Sequence, residues 1–564
     1  MPVVGAPSKV ELLKEGSRGL RGTLAADLAA ETTQFDEIGY NLLKFHGVYQ
    51  GYDRDSATER KQSGAGKLYR MMVRTRLPGG RLTAAQYLAL DAVADRYANG
   101  TLRITTRQDI QFHGVVKGDL KPTIAAMNQE LVTTIGACGD IVRNVTAVPA
   151  PIRDAIHRRL AEDAQRLSRR MLPASRAYHE IWLDEEQVAG PSEDALYGAA
   201  YLPRKFKIGL AIPEDNSIDV LTNDLAILAL FEGDRLQGYN FFLGGSLGMT
   251  HNKPRTFPRL ATAVAFVGPE DLLEAAAAVV RLHRDHGDRS DRKHARLKYV
   301  IAEKGEAWAK ARLEEYLGKR LEAPRPMPPL RVRDHLGWHE QGDGKLYLGV
   351  PVPSGRIADR PEARLRSALR AVIERFRCDP ILLPTQDIIL SEIAPADRSA
   401  VEAMLRQEGV ALAGDLSPLR RWSLACPALP SCGLALTEAE RIQPSLLDAV
   451  EERLAAHGLL GERLSLRITG CPNGCSRPYA GDIGLVGRIP GFFALYVGGD
   501  FEGTRLSFLL IDKLAEGAVA ATLDPLFALF AEERLTGEGF GDFCHRAGRE
   551  RLETALAAAI RRAS

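Results

Sequence analysis

The strongest constraint on the fold of this 564-residue chain is that it echoes itself. Leu77-Pro78-Gly79-Gly80-Arg81-Leu82 corresponds to Val352-Pro353-Ser354-Gly355-Arg356-Ile357. Each follows a strand-like run, RMMVRTR in one half and KLYLGVP in the other, and each precedes a helical pattern. Thr83 can cap a helix carrying Tyr87, Leu90, Ala94 and Tyr97, while Leu365, Leu369, Val372, Ile373 and Phe376 recur at helical spacing. One further strand is expected in each half, within TLRITTRQDIQFHGV and PILLPTQDIILSEI, where Gln108-Asp109 matches Gln386-Asp387. Farther on, Arg143-Asn144-Val145-Thr146-Ala147-Val148-Pro149 aligns with Arg421-Trp422-Ser423-Leu424-Ala425-Cys426-Pro427, which sets Val148 opposite Cys426. Matches kept in one order predict duplicated α/β modules.

The halves divide the chemistry. In the alignment Arg74 opposes Gly349, Arg103 opposes Ile381, and Arg107 opposes Thr385. The first half therefore carries a surplus of cations, joined by Arg143, Lys205, Lys207 and Arg296. In YLPRKFKIGLAIP the two lysines stand two apart, so on a strand both face one way. Adjacent ammonium groups repel unless an anion lies between them. At an effective dielectric near 20, a cation about 4 Å from a unit anion gains roughly 4 kcal/mol. Any single Lys or Arg is usually solvated surface, but the set together can hold a dianion or a polycarboxylate.

The second half carries sulfur. Cys426 and Cys432 lie in ACPALPSCGLALTEAER, Cys471 and Cys475 in TGCPNGCSRPYAGDIGLVG, giving C-x5-C and C-x3-C separated by 38 residues. Four thiols at two short spacings can cage a soft metal centre. Structural zinc usually shows other spacings and fits less well. From spacing alone an iron–sulfur cluster, zinc and unrelated thiols all stay open. Cys138, Cys378 and Cys544 are isolated and read as core filler. The complementary chemistry of the halves predicts a site at their junction.

Composition narrows the setting. With seven cysteines and no apolar signal core in MPVVGAPSKVELLKEGSRG, disulfides and secretion are not expected, and a reducing cytoplasm is. A net charge of +2 implies no nucleic-acid or membrane partner. No apolar run reaches bilayer length, and the Ala-rich stretch 271–282 reads as a packed helix. We expect an arm over 1–64, modules over 65–143 and 144–330, a Pro-rich linker over 322–334, and modules over 331–410 and 411–564. No Gly-rich nucleotide fingerprint appears, so the chain is not expected to bind a dinucleotide itself.

The motifs KFHGVYQGYDRD, VRTRLPGG, TTRQDIQFHG, YLPRKFK, DRKHARLKY, ACPALPSCGLALTEAER, TGCPNGCSRP and GEGFGDF together resemble the sulfite and nitrite reductases that couple a sirohaem to a [4Fe–4S] cluster. Within that family the likeness is nearest to haemoprotein (beta) subunits of assimilatory NADPH–sulfite reductases, and it covers nearly the whole chain. The resemblance implies a pseudo-twofold α/β (α+β) fold of ferredoxin-like half-modules (65–143, 331–410) and two sirohaem-binding α/β halves (144–330, 411–564). It implies one cluster held by Cys426, Cys432, Cys471 and Cys475, with Cys475 also the axial ligand of one sirohaem. Sulfite would meet Arg74, Arg143, Lys205 and Lys207. The macrocycle and its carboxylates would meet Arg103, Thr105, Arg107, Gln111, His113, Arg296 and Asn473. Arg296 stands where the nearest pattern has lysine, and Ser476 where it has glycine. A flavoprotein (alpha) subunit is the implied electron donor, with ferredoxin the alternative; the arm is either its docking element or a wrap that stabilises its own chain.

Overall fold

The repeat is built as two sheets that lend each other an edge. The computed structural model describes residues 5–186 and 194–563. The first module contributes β1 (Val48–Tyr52), β2 (Tyr69–Arg74), β3 (Leu102–Ile104) and β4 (Ile110–Val115). The first α/β half follows with β5 (Thr146–Ala147), β6 (Ile208–Ala211), β7 (Leu225–Glu232), β8 (Arg235–Leu243) and β9 (Thr262–Val267). The second module has β10 (Gly337–Glu340), β11 (Leu346–Val350), β12 (Arg356–Ile357), β13 (Asp379–Leu382) and β14 (Ile388–Ile393). The last half has β15 (Leu424–Ala425), β16 (Leu466–Thr469), β17 (Ile483–Ile489), β18 (Phe492–Val497) and β19 (Phe508–Ala515).

The chain divides into two compact units, residues 1–246 with 261–410, and residues 247–260 with 411–564. In the larger unit the module sheets run β1-β2-β4-β3-β12 and β10-β11-β14-β13. β12 leaves its own module to pair with β3, and Arg81 makes the reciprocal bridge to Ile381. That exchange demands close backbone approach. A Cβ on Gly80 (φ +73°) would sit 2.5 Å from the Leu382 carbonyl oxygen, and one on Gly355 (φ +74°) 2.3 Å from that of Ile104. Glycine is the residue that both positions admit.

The two α/β sheets share one topology. In β5-β6-β7-β8-β9 and in β15-β16-β17-β18-β19 the first two pairings are parallel and the last two antiparallel. The Val148 amide donates to Leu210 and the Cys426 amide to Ile468, so these residues occupy equivalent places at the ends of β5 and β15. In the smaller unit Val450, Ile468, Leu485, Phe493 and Phe527 are fully buried and form the core behind its sheet.

Local chemistry explains the elements. Helix Ala84–Tyr97 starts with a capping box: the Gln86 amide donates to Thr83 Oγ1 at 3.2 Å and the Thr83 amide to Gln86 Oε1 at 3.0 Å. Helix Leu365–Phe376 buries Leu365, Leu369, Val372 and Ile373, and helix Leu272–His286 buries its alanines. The single further strand expected in each module is instead a hairpin, β3–β4 and β13–β14. The reason is a turn: Gln108 and Gln386 adopt φ +56° and +77°, and Thr105 Oγ1 donates to Asp109 Oδ1 at 2.6 Å. The Pro-rich stretch is no free tether. Arg325 exchanges two hydrogen bonds with Asn240, and Arg331 donates its amide to Pro213.

Candidate functional site

The cations gather on one row of the first sheet. Arg74 lies opposite Gln111, Gln111 opposite Arg103, and Arg103 opposite Arg356. With its amide oxygen toward the guanidinium, Gln111 accepts from Arg74 Nε at 3.3 Å. Arg74 Nε is also 3.6 Å from Asp109 Oδ1. Burial pushes the Asp109 carboxyl up, against the pull of Arg74. Two residues along β4, His113 Nδ1 accepts from Arg356 at 3.1 Å, which leaves Nε2 as the protonated nitrogen when the ring is neutral.

The turn between β3 and β4 delivers Arg107 inward. Its amide donates to Thr105 Oγ1 at 3.1 Å. Its guanidinium donates to Asn223 Oδ1 at 2.9 Å, the Ile208 carbonyl at 3.2 Å and the Asn144 carbonyl. Those partners are neutral, and burial lowers the Arg107 pKa to about 9. Arg143 donates to Tyr49 Oη at 3.0 Å. The Nε atoms of Arg107 and Arg143 are buried and, among the described residues, have no acceptor.

The lysine segment runs alongside. The Phe206 amide donates to Ile141, and the Arg143 amide donates to Phe206. Phe206 is fully buried, so Lys205 and Lys207 share the opposite side. Burial, then Arg143, Arg204, Arg296 and Lys207, hold the Lys205 ammonium well below the usual lysine range. Arg296 grips Asp224 with two nitrogens, at 3.2 and 2.8 Å, and Asp224 Oδ2 also accepts from the Lys207 amide. Lys298 donates to the Ser246 carbonyl, and burial beside Arg296 pushes it down to about 6. The larger unit thus assembles Arg74, Arg103, Thr105, Arg107, Gln111, His113, Arg143, Lys205, Lys207 and Arg296 in one region. Cations outnumber carboxylates there, and among the described residues two guanidinium nitrogens lack acceptors; such a set suits a polycarboxylate and an anionic substrate.

In the smaller unit the thiols converge by topology. β15 and β16 are parallel neighbours, and both cysteine loops leave their carboxyl ends. Cys426 Sγ accepts from the Gly470 amide at 3.3 Å and Thr469 Oγ1 at 3.6 Å. Cys471 Sγ accepts from Asn473 Nδ2 at 3.5 Å, which places Asn473 beside a thiol. A Cβ on Gly470 would come within 2.7 Å of Ala428 and Thr437, so glycine lets the loops close on each other. Burial, then the charge of Cys475, pushes Cys426 up to about 12, and the same two causes raise Cys471. All seven cysteines are free; Cys426 and Cys471 are buried, Cys432 is half-buried and Cys475 exposed. Among the described residues no three His, Cys, Asp or Glu side chains are set to grip a single metal ion. Four thiols carried by two loops at the ends of neighbouring strands are the soft donor type that an iron–sulfur cluster takes. Ser476 is accommodated: Gly474 and Arg477 carry the positive φ angles, and buried Ser476 donates to the Ile468 carbonyl at 2.6 Å.

Sequence reasoning missed Tyr49, Asn144, Asp224, Lys298 and Arg356. Tyr49 and Lys298 lie within motifs that were singled out, and Arg356 within the repeat. No sequence signal marks Asp224.

Comparison with known proteins agrees with this architecture. The model of the nitrite and sulphite reductase 4Fe-4S domain matches residues 162–321, and that of the nitrite/sulfite reductase ferredoxin-like half domain matches residues 64–130. The chain belongs to the nitrite and sulfite reductase family. It is 48% identical over 96% of its length, and 96% of the relative's, to a sulfite reductase [NADPH] hemoprotein beta-component of Myxococcus xanthus. It is 46% identical to one of Acidithiobacillus ferrooxidans, at 96% coverage of both chains. It is 44% identical to a sulfite reductase [ferredoxin] of Synechococcus elongatus, over 97% of this chain and 90% of the relative. The solved structure of Mycobacterium tuberculosis NirA protein shares the fold, with a TM-score of 0.78 at 24% identity and 97% coverage of both chains.

Proposed function

We propose that this protein is the haemoprotein component of an assimilatory sulfite reductase, an oxidoreductase that reduces sulfite to sulfide with six electrons. One sirohaem and one [4Fe–4S] cluster, when bound, would supply the redox chemistry: a metal centre for the substrate and a path for electrons. Cys426, Cys432, Cys471 and Cys475 would hold the cluster, and Cys475 would also serve the sirohaem iron. Asn473, donating to Cys471 Sγ, tempers the charge of that thiolate. Arg103, Arg107 and Arg296 neutralise the sirohaem carboxylates, with Thr105, Gln111 and His113 as polar contacts.

Arg74, Arg143, Lys205 and Lys207 bind sulfite. The arginines stay charged and offset the substrate's negative charge. Lys205 is held below the ordinary lysine range by burial and neighbouring cations, so its ammonium releases a proton readily and serves as acid toward a departing oxygen, which leaves as water. We assign Lys207 the same role from its place beside Lys205. The crowding of Arg143, Arg204, Arg296 and Lys207 around buried Lys205 is the observation that carries this reading, because cations held this close favour an anionic guest among them.

Electrons come from outside the chain. Relatives named for NADPH support a flavoprotein subunit as donor, and the Synechococcus relative supports ferredoxin as the second reading. Each donor, supplied separately to the purified protein, distinguishes the two. Free thiols, and the finding that no helix among the described residues is long and apolar enough to cross a membrane, support a cytoplasmic setting.

The test is sulfide production from sulfite with reduced methyl viologen as donor. Lys207→Met should lower turnover about 100-fold while sirohaem per chain is unchanged. No sulfide from the wild type, or unaltered turnover in the variant, overturns the assignment.

A further inference from the structure

The first helix, Lys9–Glu15, carries two charged residues that ought to face water, yet Glu11 and Lys14 are 4% and 1% exposed. Burying an ion pair is unfavourable unless every charge finds partners. Here they find them on the segment that leads to the lysine pair. Lys14 Nζ lies 2.5 Å from Glu11 Oε1, donates to the Leu202 carbonyl at 2.7 Å, and reaches Asp140 Oδ2 at 3.5 Å. Arg289 pairs with Glu11 and donates to the Tyr201 carbonyl at 2.7 Å. Asp140 holds Arg292 at 2.6 Å and Arg204 at 3.7 Å, and its carbonyl accepts from the Leu202 amide.

These contacts converge where the backbone needs them. Tyr201 sits at φ +53°, a left-handed conformation unfavourable for a bulky residue. The carbonyls of Tyr201, Leu202 and Arg204 are each gripped by a side chain: Arg289, Lys14 and His283 respectively. Immediately beyond, residues 140–143 and 202–206 run side by side: the Phe206 amide donates to the Ile141 carbonyl and the Arg143 amide to the Phe206 carbonyl. One end of this ladder is the ion cluster of the first helix; the other presents Arg143, Lys205 and Lys207.

We propose that Lys14 and Asp140 are positioning residues for the anion-binding set: the first helix braces the strained Tyr201 turn and so fixes where Arg143, Lys205 and Lys207 stand. The inference rests on the reading of those cations as the sulfite-binding set. It gives this part of the arm a role in its own chain's active site.

The test compares full-length holoprotein of wild type, Lys14→Met and Lys14→Arg. Hydrogen exchange at the Leu202 and Phe206 amides should quicken at least tenfold in Lys14→Met, and KM for sulfite should rise about 10- to 100-fold with sirohaem and iron content unchanged. Lys14→Arg, which keeps the charge and its hydrogen bonds, should restore both. Unchanged exchange at 202–206, or unchanged KM despite a lowered Tm, overturns the brace and leaves Lys14 purely structural. Should Lys14→Met fail to fold, Glu11→Gln weakens the Arg289 hold on the Tyr201 carbonyl; about a threefold KM increase with faster exchange supports the brace, and neither change refutes it. A wild type that turns over no sulfite would sink the proposed function, while the exchange comparison still decides the brace.

Discussion

The two ferredoxin-like modules share a register and differ in what one row of it carries. In the first, Arg74, Gln111 and Arg103 lie opposite one another across three strands. In the second, the same row reads Gly349, Ile389 and Ile381, with both isoleucines buried. The residues that bring the modules together, Gly80 and Gly355, serve the same purpose in each. The α/β halves repeat the lesson, with Val148 where the other half has Cys426. Backbone approach fixes the scaffold, while side chains on an available row diverge into charge, sulfur or plain core.

The largest effect should come from the sulfur side. Cys471→Ser should abolish the cluster, leaving acid-labile sulfide below about a tenth of wild type and no sulfite turnover. A variant that retained its full sulfide content would break the assignment of the cysteine half. Next, Ile381→Arg would copy the cationic row into the apolar module. Because that position is buried among Tyr347, Leu383 and Ile389, the unpaired charge should destabilise by about 3–5 kcal/mol in denaturant unfolding. The converse change, Arg103→Ile, puts an apolar side chain on a buried row and should cost less stability than Ile381→Arg while lowering sirohaem content. Equal destabilisation by both would mean that the row has no functional division.

A smaller effect concerns pH. Burial holds His46 and His283, both in the larger unit, down to about 4. The unfolded chain therefore takes up protons first, near pH 6.5. The stability from keeping each ring neutral is full above that value and is lost as pH falls toward 4. At pH 5 the loss is about 2 kcal/mol per histidine relative to pH 7, read as a falling Tm of the larger unit. The smallest effect is Val148→Cys, a change of similar volume that should shift stability by less than about 1 kcal/mol and bind no additional iron, since one thiol makes no cage.

Much of this was legible because local rules and global pattern agree. Thr83 and Gln86 announce a helix start, the lysines of YLPRKFK fall two apart, and the cysteine spacings point to converging loops. Other features were hidden for physical reasons. The hairpin turns put glutamine, not glycine, at positive φ, so Thr105–Asp109 read as continuous strand. Asp224 looks like any acidic residue, yet its carboxylate joins Arg296 to the Lys207 amide. Glu11 and Lys14 follow a surface-helix pattern and are buried only because tertiary partners neutralise them. Residues 247–260, an excursion between β8 and β9, belong to the smaller unit; the Met249 amide there donates to Pro472, within the second cysteine loop, a pairing no local signal foretells.

The most direct test is the visible spectrum of the purified chain, read with its iron and acid-labile sulfide. A sirohaem Soret band, together with labile sulfide and iron in excess of the haem iron, is the predicted result. Colourless protein, or protein holding zinc in place of iron, would contradict it.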